Sequence, residues 1–365
     1  MCNEACSASP NHKPECQMTL ARGHPMKIDI GNAAKPFPLY ETVAIMRCLS
    51  LKITSPEKYK ALLALEPHTE ERKRNGRYVL LCHSYMLHIH QSKHFDINIS
   101  FLYIMSLYHI FIYQRYDRDR AAMVRVFRQF FALPKEDYSD DEILHICGIL
   151  FVNAHELPVT FTPTQAIYKN ASLVEHSCIN NASKHFDMNT NVQIRAAVHI
   201  RKGDHISIMY SDPMWGTANR QQHLQETKYF TCTCQRCSDP TELGTEFSSL
   251  RCPNSCTGYL SAVSPTASDD DGSSSLWECN VCKKSEVAGG YVDKVIRSIG
   301  EELVRLERGV PEACQNFIKK HSQNLHPNHY YLVCNIIISN IASVRHIIII
   351  YVRNISNSDS VFRWT

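Results

Sequence analysis

Three thiols crowd into Cys232-Thr233-Cys234-Gln235-Arg236-Cys237. A C-x-C-x-x-C offers three thiolates and lacks a fourth, and a cysteine distant in sequence can complete the tetrahedral shell of a zinc ion. Cys178, in the run Glu175-His176-Ser177-Cys178-Ile179-Asn180-Asn181, is that distant partner. Between them lie a strand-like stretch and the lone tyrosine of Ile206-Ser207-Ile208-Met209-Tyr210. Four unconnected thiols would not account for so tight a spacing.

A second set follows as Cys252-x3-Cys256 and Cys279-x2-Cys282, separated by a Ser/Asp/Gly-rich tract over 261–275. Two cysteine knuckles joined by a flexible loop describe a zinc ribbon. The tract itself cannot bury apolar area and is expected to stay unfolded. Four-sulfur sites are closed, so both are read as structural and not hydrolytic. Cys48, Cys82, Cys147, Cys314 and Cys334 stand alone, and buried core thiols are the expectation for them. No basic segment followed by an apolar stretch opens the chain, so the 16 cysteines point to a reducing compartment, cytoplasm and nucleus, and not to disulfides.

Lys plus Arg number 39 against 36 Asp plus Glu, a net charge of +3 over 365 residues. That balance supplies no strong field for a nucleic-acid backbone or an anionic membrane. The apolar runs 97–113 and 336–352 are interrupted by Asn, Ser, His or Arg and fall short of the roughly 20 clean apolar residues of a bilayer helix. A length of this order suits two or more domains.

Ser55-Pro56-Glu57 starts a helix with proline in its first turn, followed by Tyr59, Leu62 and Leu63 on one face. A further helix is read over 118–131, stopped by Pro134. Ser139-x-x-Glu142 is a capping box, and Ile143, Ile146, Cys147, Leu150 and Phe151 recur behind it at helical spacing. Residues 192–200 and 205–210 read as strands about the turn Lys202-Gly203-Asp204, and 217–228 returns to helix. Val292, Val295, Ile299, Leu303 and Leu306 mark a long amphipathic helix after Gly289-Gly290. Near the start, Cys2, Cys6, His12 and Cys16 form Cys-x3-Cys and then His-x3-Cys.

The order of these parts resembles the SET-and-MYND (SMYD) family of S-adenosylmethionine-dependent protein-lysine methyltransferases. The ribbon together with Thr241-Glu242-Leu243-Gly244-Thr245 favours the arthropod SmydA-like branch. Cys2, Cys6, His12 and Cys16 match the second half of a MYND finger, with His12-Lys13-Pro14-Glu15-Cys16 matching its ending closely. The resemblance implies an α+β chain: a β-rich SET fold with a zinc-binding post-SET region, a helical insert, a zinc-ribbon insertion and a partial α-helical C-terminal domain.

Its expected layout is half a MYND finger over 1–16, a helical insert over 17–145, a SET core over 146–211 and a post-SET zinc region over 212–245. The ribbon takes 246–290, a helical region 291–335 and an atypical tail 336–365. Residues 78–115 and the tail match nothing in the family and are read as translated introns or similar gene-model artefacts.

Methyl transfer to a lysine amine is an in-line displacement that needs alignment and exclusion of water. Gly203-Asp204-His205-Ile206-Ser207-Ile208-Met209-Tyr210 matches the strand that ends on the family's catalytic tyrosine, which makes Tyr210 the expected catalytic residue. By the same resemblance Asn153, in Asn153-Ala154-His155-Glu156-Leu157, would contact S-adenosylmethionine. His176 would lie on its adenine side, Phe230 would pack on it, and Glu175 would face its ammonium group.

The chain also departs from the family. Glu175 replaces an asparagine of the Asn-His-Ser-Cys-x-Pro-Asn motif, Asn180 replaces its proline, and Lys228 aligns with a channel tyrosine. The glycine-rich cofactor strand that precedes MYND in the family has no match here. The resemblance implies protein substrates bearing lysine, histone or non-histone, with further protein partners through the MYND and helical regions. The alternative is a catalytically inactive, zinc-stabilised interaction scaffold of the same family.

Overall fold

Ser139 sets the start of the helix Asp140–Asn153: its side chain accepts the Glu142 N–H at 3.1 Å, and three acidic residues follow at the positive end of the helix dipole. The reciprocal half of the capping box is not made. Glu142 turns its carboxylate to the Tyr59 hydroxyl and to Lys52, whose Nζ lies 3.0 Å away. The box thus ties this helix to the helices Tyr40–Thr54 and Pro56–Leu63.

This computed structural model describes residues 13–18, 40–74, 120–157, 165–254, 256–263, 276–287, 290–307 and 310–336. Cys2, Cys6 and His12, the side chain of Cys16, Cys82, the tract 264–275, all of 78–115 and nearly all of the tail lie outside the described residues. The chain divides into two units, one of 1–175, 182–206 and 226–229, the other of 176–181, 207–225 and 230–365.

The first unit is built on helices. Ile143, Ile146 and Leu150 of Asp140–Asn153 are buried with Ile45, Leu49, Tyr59, Phe127 and Phe131, and Ile149 with Leu62 and Leu65. Each such side chain contributes roughly 1.5–3 kcal/mol on leaving water. Cys147 of the expected stripe is only half-buried, whereas Ile149 is fully buried. Ser55 precedes the Pro56 helix without a side-chain cap. In the run read as one helix, 120–125 is α-helical, and Val126–Phe130 widens into a π turn closed by the Phe131 N–H on Val126 O. Two antiparallel pairs complete this unit, His155–Glu156 with Gln165–Ala166 and Ala182–Phe186 with Val192–Ala196.

The second unit holds the ribbon, an antiparallel sheet of Leu250–Arg251, Tyr259–Ala262, Leu276–Cys279 and Ser285–Val287 with the last-named strand at one edge. The Val263 N–H donates to Leu276 O at 2.8 Å, which pins together the two ends of the tract 264–275. The helices Tyr291–Arg305 and Pro311–His321 supply Val292, Ile299 and Phe317 to a core with Leu250, Leu260, Leu325 and Leu332. Arg251 N–H bonds Asn324 O at 2.9 Å, tying the sheet to the segment after these helices. The helix Thr217–Lys228 begins here and buries Leu224 and Arg220. Its end, with Tyr229, belongs to the first unit. Among the described residues no helix is long and apolar enough to cross a membrane.

Candidate metal centres and the surroundings of Tyr210

Two groups of four cysteines converge. Cys178, Cys232, Cys234 and Cys237 form one, Cys252, Cys256, Cys279 and Cys282 the other, with the sulfurs of each group all within 4.8 Å of one another. A tetrahedron of sulfurs about 2.3 Å from a zinc ion has edges of about 3.8 Å. Cys178 Sγ lies 3.9 Å from Cys232 Sγ and 3.5 Å from Cys237 Sγ. In the ribbon, Cys252 to Cys282 is 3.7 Å and Cys256 to Cys279 is 3.5 Å. None of these cysteines is in a disulfide. The donor sets and their spacing fit zinc at both places.

The two shells are supported differently. In the ribbon, sulfur accepts hydrogen bonds largely from the knuckle backbone: Gly258 N–H to Cys256 and Val281 N–H to Cys279, both at 3.4 Å. Around the first cluster, side chains do this. Arg220, fully buried, places Nη2 3.5 Å from Cys237 Sγ and Nη1 2.7 Å from the Glu242 carboxylate. Glu242 is itself buried and also accepts from Thr217 N–H at 3.0 Å and Ser248 Oγ at 2.6 Å. Four thiolates on a divalent ion leave net negative charge, and a buried guanidinium offsets part of it. Hydrogen bonding to Cys178 draws the Cys234 thiol down to about 5.

His176, Tyr210 and Phe230 come together beside the first cluster. The His176 ring centre is 5.3 Å from that of Tyr210 and 5.8 Å from that of Phe230. Its Nδ1 accepts the Tyr210 backbone N–H at 3.0 Å, and its Nε2 lies 3.3 Å from Cys178 Sγ. The strand reaching Tyr210 is shorter than the alternation predicts, Ser207–Ile208 only, because its partner Glu175–His176 has two residues. Tyr210 therefore stands past the end of the ladder.

Asn153 and Glu175 belong to the first unit. Asn153 closes its helix, with Nδ2 donating to Ile149 O at 3.0 Å and to Glu66 O at 2.9 Å. Glu175 Oε1 is paired with His205 Nδ1 at 2.6 Å, an exposed bridge whose hydrogen bond raises the His205 pKa. Asn153 Nδ2 and Glu175 Oε1 are thus both engaged by the chain itself.

Lys228, which aligns with the family's channel tyrosine, donates its Nζ to Val152 O. Burial, with Lys184 nearby, pulls its pKa down to about 8. Lys184 in turn reaches His155 Nδ1 at 3.2 Å, and burial pulls His155 down to about 4. Sequence reasoning did not foresee this basic cluster, nor the Arg220–Glu242 pair; the one signal for the latter is an arginine placed one turn before Leu224 on the same helix.

A family model described as the SET domain matches residues 33–211, ending one residue after Tyr210. The SET domain-containing protein SmydA-8, isoform A, of Drosophila melanogaster is 33% identical over 148 residues, covering 39% of this chain and 31% of that protein. The N-lysine methyltransferase SMYD2-B of Danio rerio is 26% identical over 242 residues, covering 65% of this chain and 45% of that protein. The human N-lysine methyltransferase SMYD2 is 32% identical over 73 residues, or 20% of this chain and 17% of its own length. The matched part thus spans less than half the length of each of these relatives.

Proposed function

From the premise that this chain is a SMYD-like SET-domain protein of α+β fold, we propose that it transfers methyl groups from S-adenosylmethionine to lysines of histone or non-histone proteins, in the cytoplasm and nucleus. The relatives named as N-lysine methyltransferases support the reaction class. The single observation that supports a site is the placement of Tyr210 just past the end of its strand, with its backbone held by His176 and the Phe230 ring centre 5.8 Å from that imidazole. In this reading Tyr210 is the catalytic residue, its hydroxyl beside the transferred methyl group. Phe230 and His176 form an apolar wall that limits water, and zinc in the two four-cysteine clusters acts structurally. The cofactor would supply the methyl group on a sulfonium.

A second reading has its own observation. The Asn153 amide caps its helix and Glu175 is paired with His205, as suits a zinc-stabilised interaction scaffold that binds protein segments without catalysis. Calorimetric titration of the zinc-loaded protein with S-adenosylmethionine, followed by methyl incorporation into histones and cell lysate, separates the two. Binding with transfer that Tyr210→Phe abolishes supports the enzyme. Absence of binding by folded, zinc-loaded protein supports the scaffold.

A further inference from the structure

We propose that His176 is a positioning residue that transmits metal occupancy of the Cys178 cluster to the backbone of Tyr210. The argument begins with a donor that cannot change. A backbone N–H only donates, so the Tyr210 N–H at 3.0 Å makes His176 Nδ1 the acceptor. The ring proton therefore sits on Nε2, which lies 3.3 Å from Cys178 Sγ, and the sulfur must accept. A thiolate accepts such a bond far better than a thiol, and a zinc ion holds a coordinating sulfur as thiolate. Metal on the cluster thus strengthens the bond that holds the ring orientation of His176, and the same ring holds Tyr210.

This bond carries weight because the sheet does not reach so far. Ser177 N–H donates to Ile208 O at 3.2 Å, and the strand then ends, leaving the imidazole where the next ladder partner would stand. His329 offers an internal comparison. Its Nδ1 also accepts a tyrosine N–H, that of Tyr331 at 3.2 Å, yet its buried Nε2 has no hydrogen-bond partner. Both histidines accept a tyrosine N–H, His329 from two residues on and His176 from a distant segment, and of the two it is His176 that also meets a sulfur. That Tyr210 needs this placement for chemistry rests on the methyltransferase reading; the coupling from metal to backbone does not.

The test uses the full chain, zinc-loaded and labelled with 15N-tyrosine, with the Tyr210 amide resonance identified by its loss in Tyr210→Phe. His176→Asn puts an oxygen near the Nδ1 position and loses the sulfur contact. His176→Gln reaches the sulfur and loses the acceptor for Tyr210. The parent protein is expected to shift its Tyr210 amide as a chelator withdraws zinc stepwise. The Asn variant releases zinc about tenfold faster, in the range usual for lost outer-shell partners, and its Tyr210 amide no longer follows zinc withdrawal. The Gln variant moves that amide already in the zinc-loaded state and keeps zinc release within about twofold of the parent protein. A parent Tyr210 amide that does not follow zinc withdrawal would overturn the proposal, as would parent-like zinc release and parent-like Tyr210 resonances in both variants. Absence of methyl transfer by the parent protein with this response intact would sink the functional reading and leave this one standing.

Discussion

The first unit and the second solve the same problem by different means. The helical unit buries Ile45, Leu49, Phe127, Ile143, Ile146 and Ile149 almost completely in adjoining apolar clusters. The second divides its apolar residues between a small cluster of Cys178, Leu224, Cys232 and Cys237 and a larger one around the ribbon, and each contains a four-cysteine site. Among the described residues, such sites occur in the second unit alone. Among the described residues the first is held by apolar packing; the second, whose short strands carry the cysteine sets, is expected to lean on metal as well.

The most severe way to break this comparison is to remove a ligand. Cys178→Ser is expected to lower bound zinc by one equivalent per chain and destabilise the second unit by several kcal/mol or more, since structural zinc binding is largely folding free energy. Hydrogen exchange should accelerate through 207–225 and 230–238 while the helices Tyr40–Thr54 and Asp140–Asn153 keep their protection. Equal acceleration in both units would show that the division is false.

Next in size, Arg220→Ala leaves Glu242 buried and charged without its nearest cation, at an expected cost of about 3–5 kcal/mol. Phe127→Ala in the helical unit should cost about as much, but through a cavity. The two are told apart by salt and metal dependence: only the Arg220 variant should also weaken zinc retention, as read by a metallochromic dye.

Acid provides a third handle. Burial pushes His329 down to about 3 from an ordinary value of 6.5. The unfolded chain therefore binds a proton that the native one refuses, so this group's stability is fully present above pH 6.5 and declines as pH falls toward 3. The slope is about 1.4 kcal/mol per pH unit at most. His329→Phe should flatten the acid limb of a denaturation profile by that amount. An unchanged slope would mean the imidazole is hydrated. The smallest effect is expected in the helical unit, where Ser139→Ala removes a cap worth about 1 kcal/mol, measured as a shift in denaturation midpoint.

Much of this was legible in the residues. The helix Thr217–Lys228 has the bounds its sequence predicts, and the Ser139 cap is made. Both cysteine groups follow from spacing, because a metal shell is a local demand that few other arrangements meet. Strand lengths were not legible. The strands read over 192–200 and 205–210 are only Val192–Ala196 and Ser207–Ile208, and Val198 and Ile206 beyond their ends are exposed. A strand extends only as far as its partner, and the partner is chosen by tertiary packing. The same holds for side-chain partners. Glu175 reads as a residue facing the cofactor's ammonium group, and its pairing with His205 at 2.6 Å had no sequence signal; Lys228 reads as a replacement for a channel tyrosine, and its bond to Val152 O had none either.

The bond from Val263 to Leu276 has a practical side. With the mouth of the tract 264–275 held at 2.8 Å by the sheet itself, the closure of the ribbon does not depend on how much chain lies between. Doubling such a loop adds only about 0.6 kcal/mol of closure entropy. The position is therefore a natural port for grafting: an epitope, a fluorescent reporter or a capture peptide inserted there should leave the zinc ribbon able to assemble.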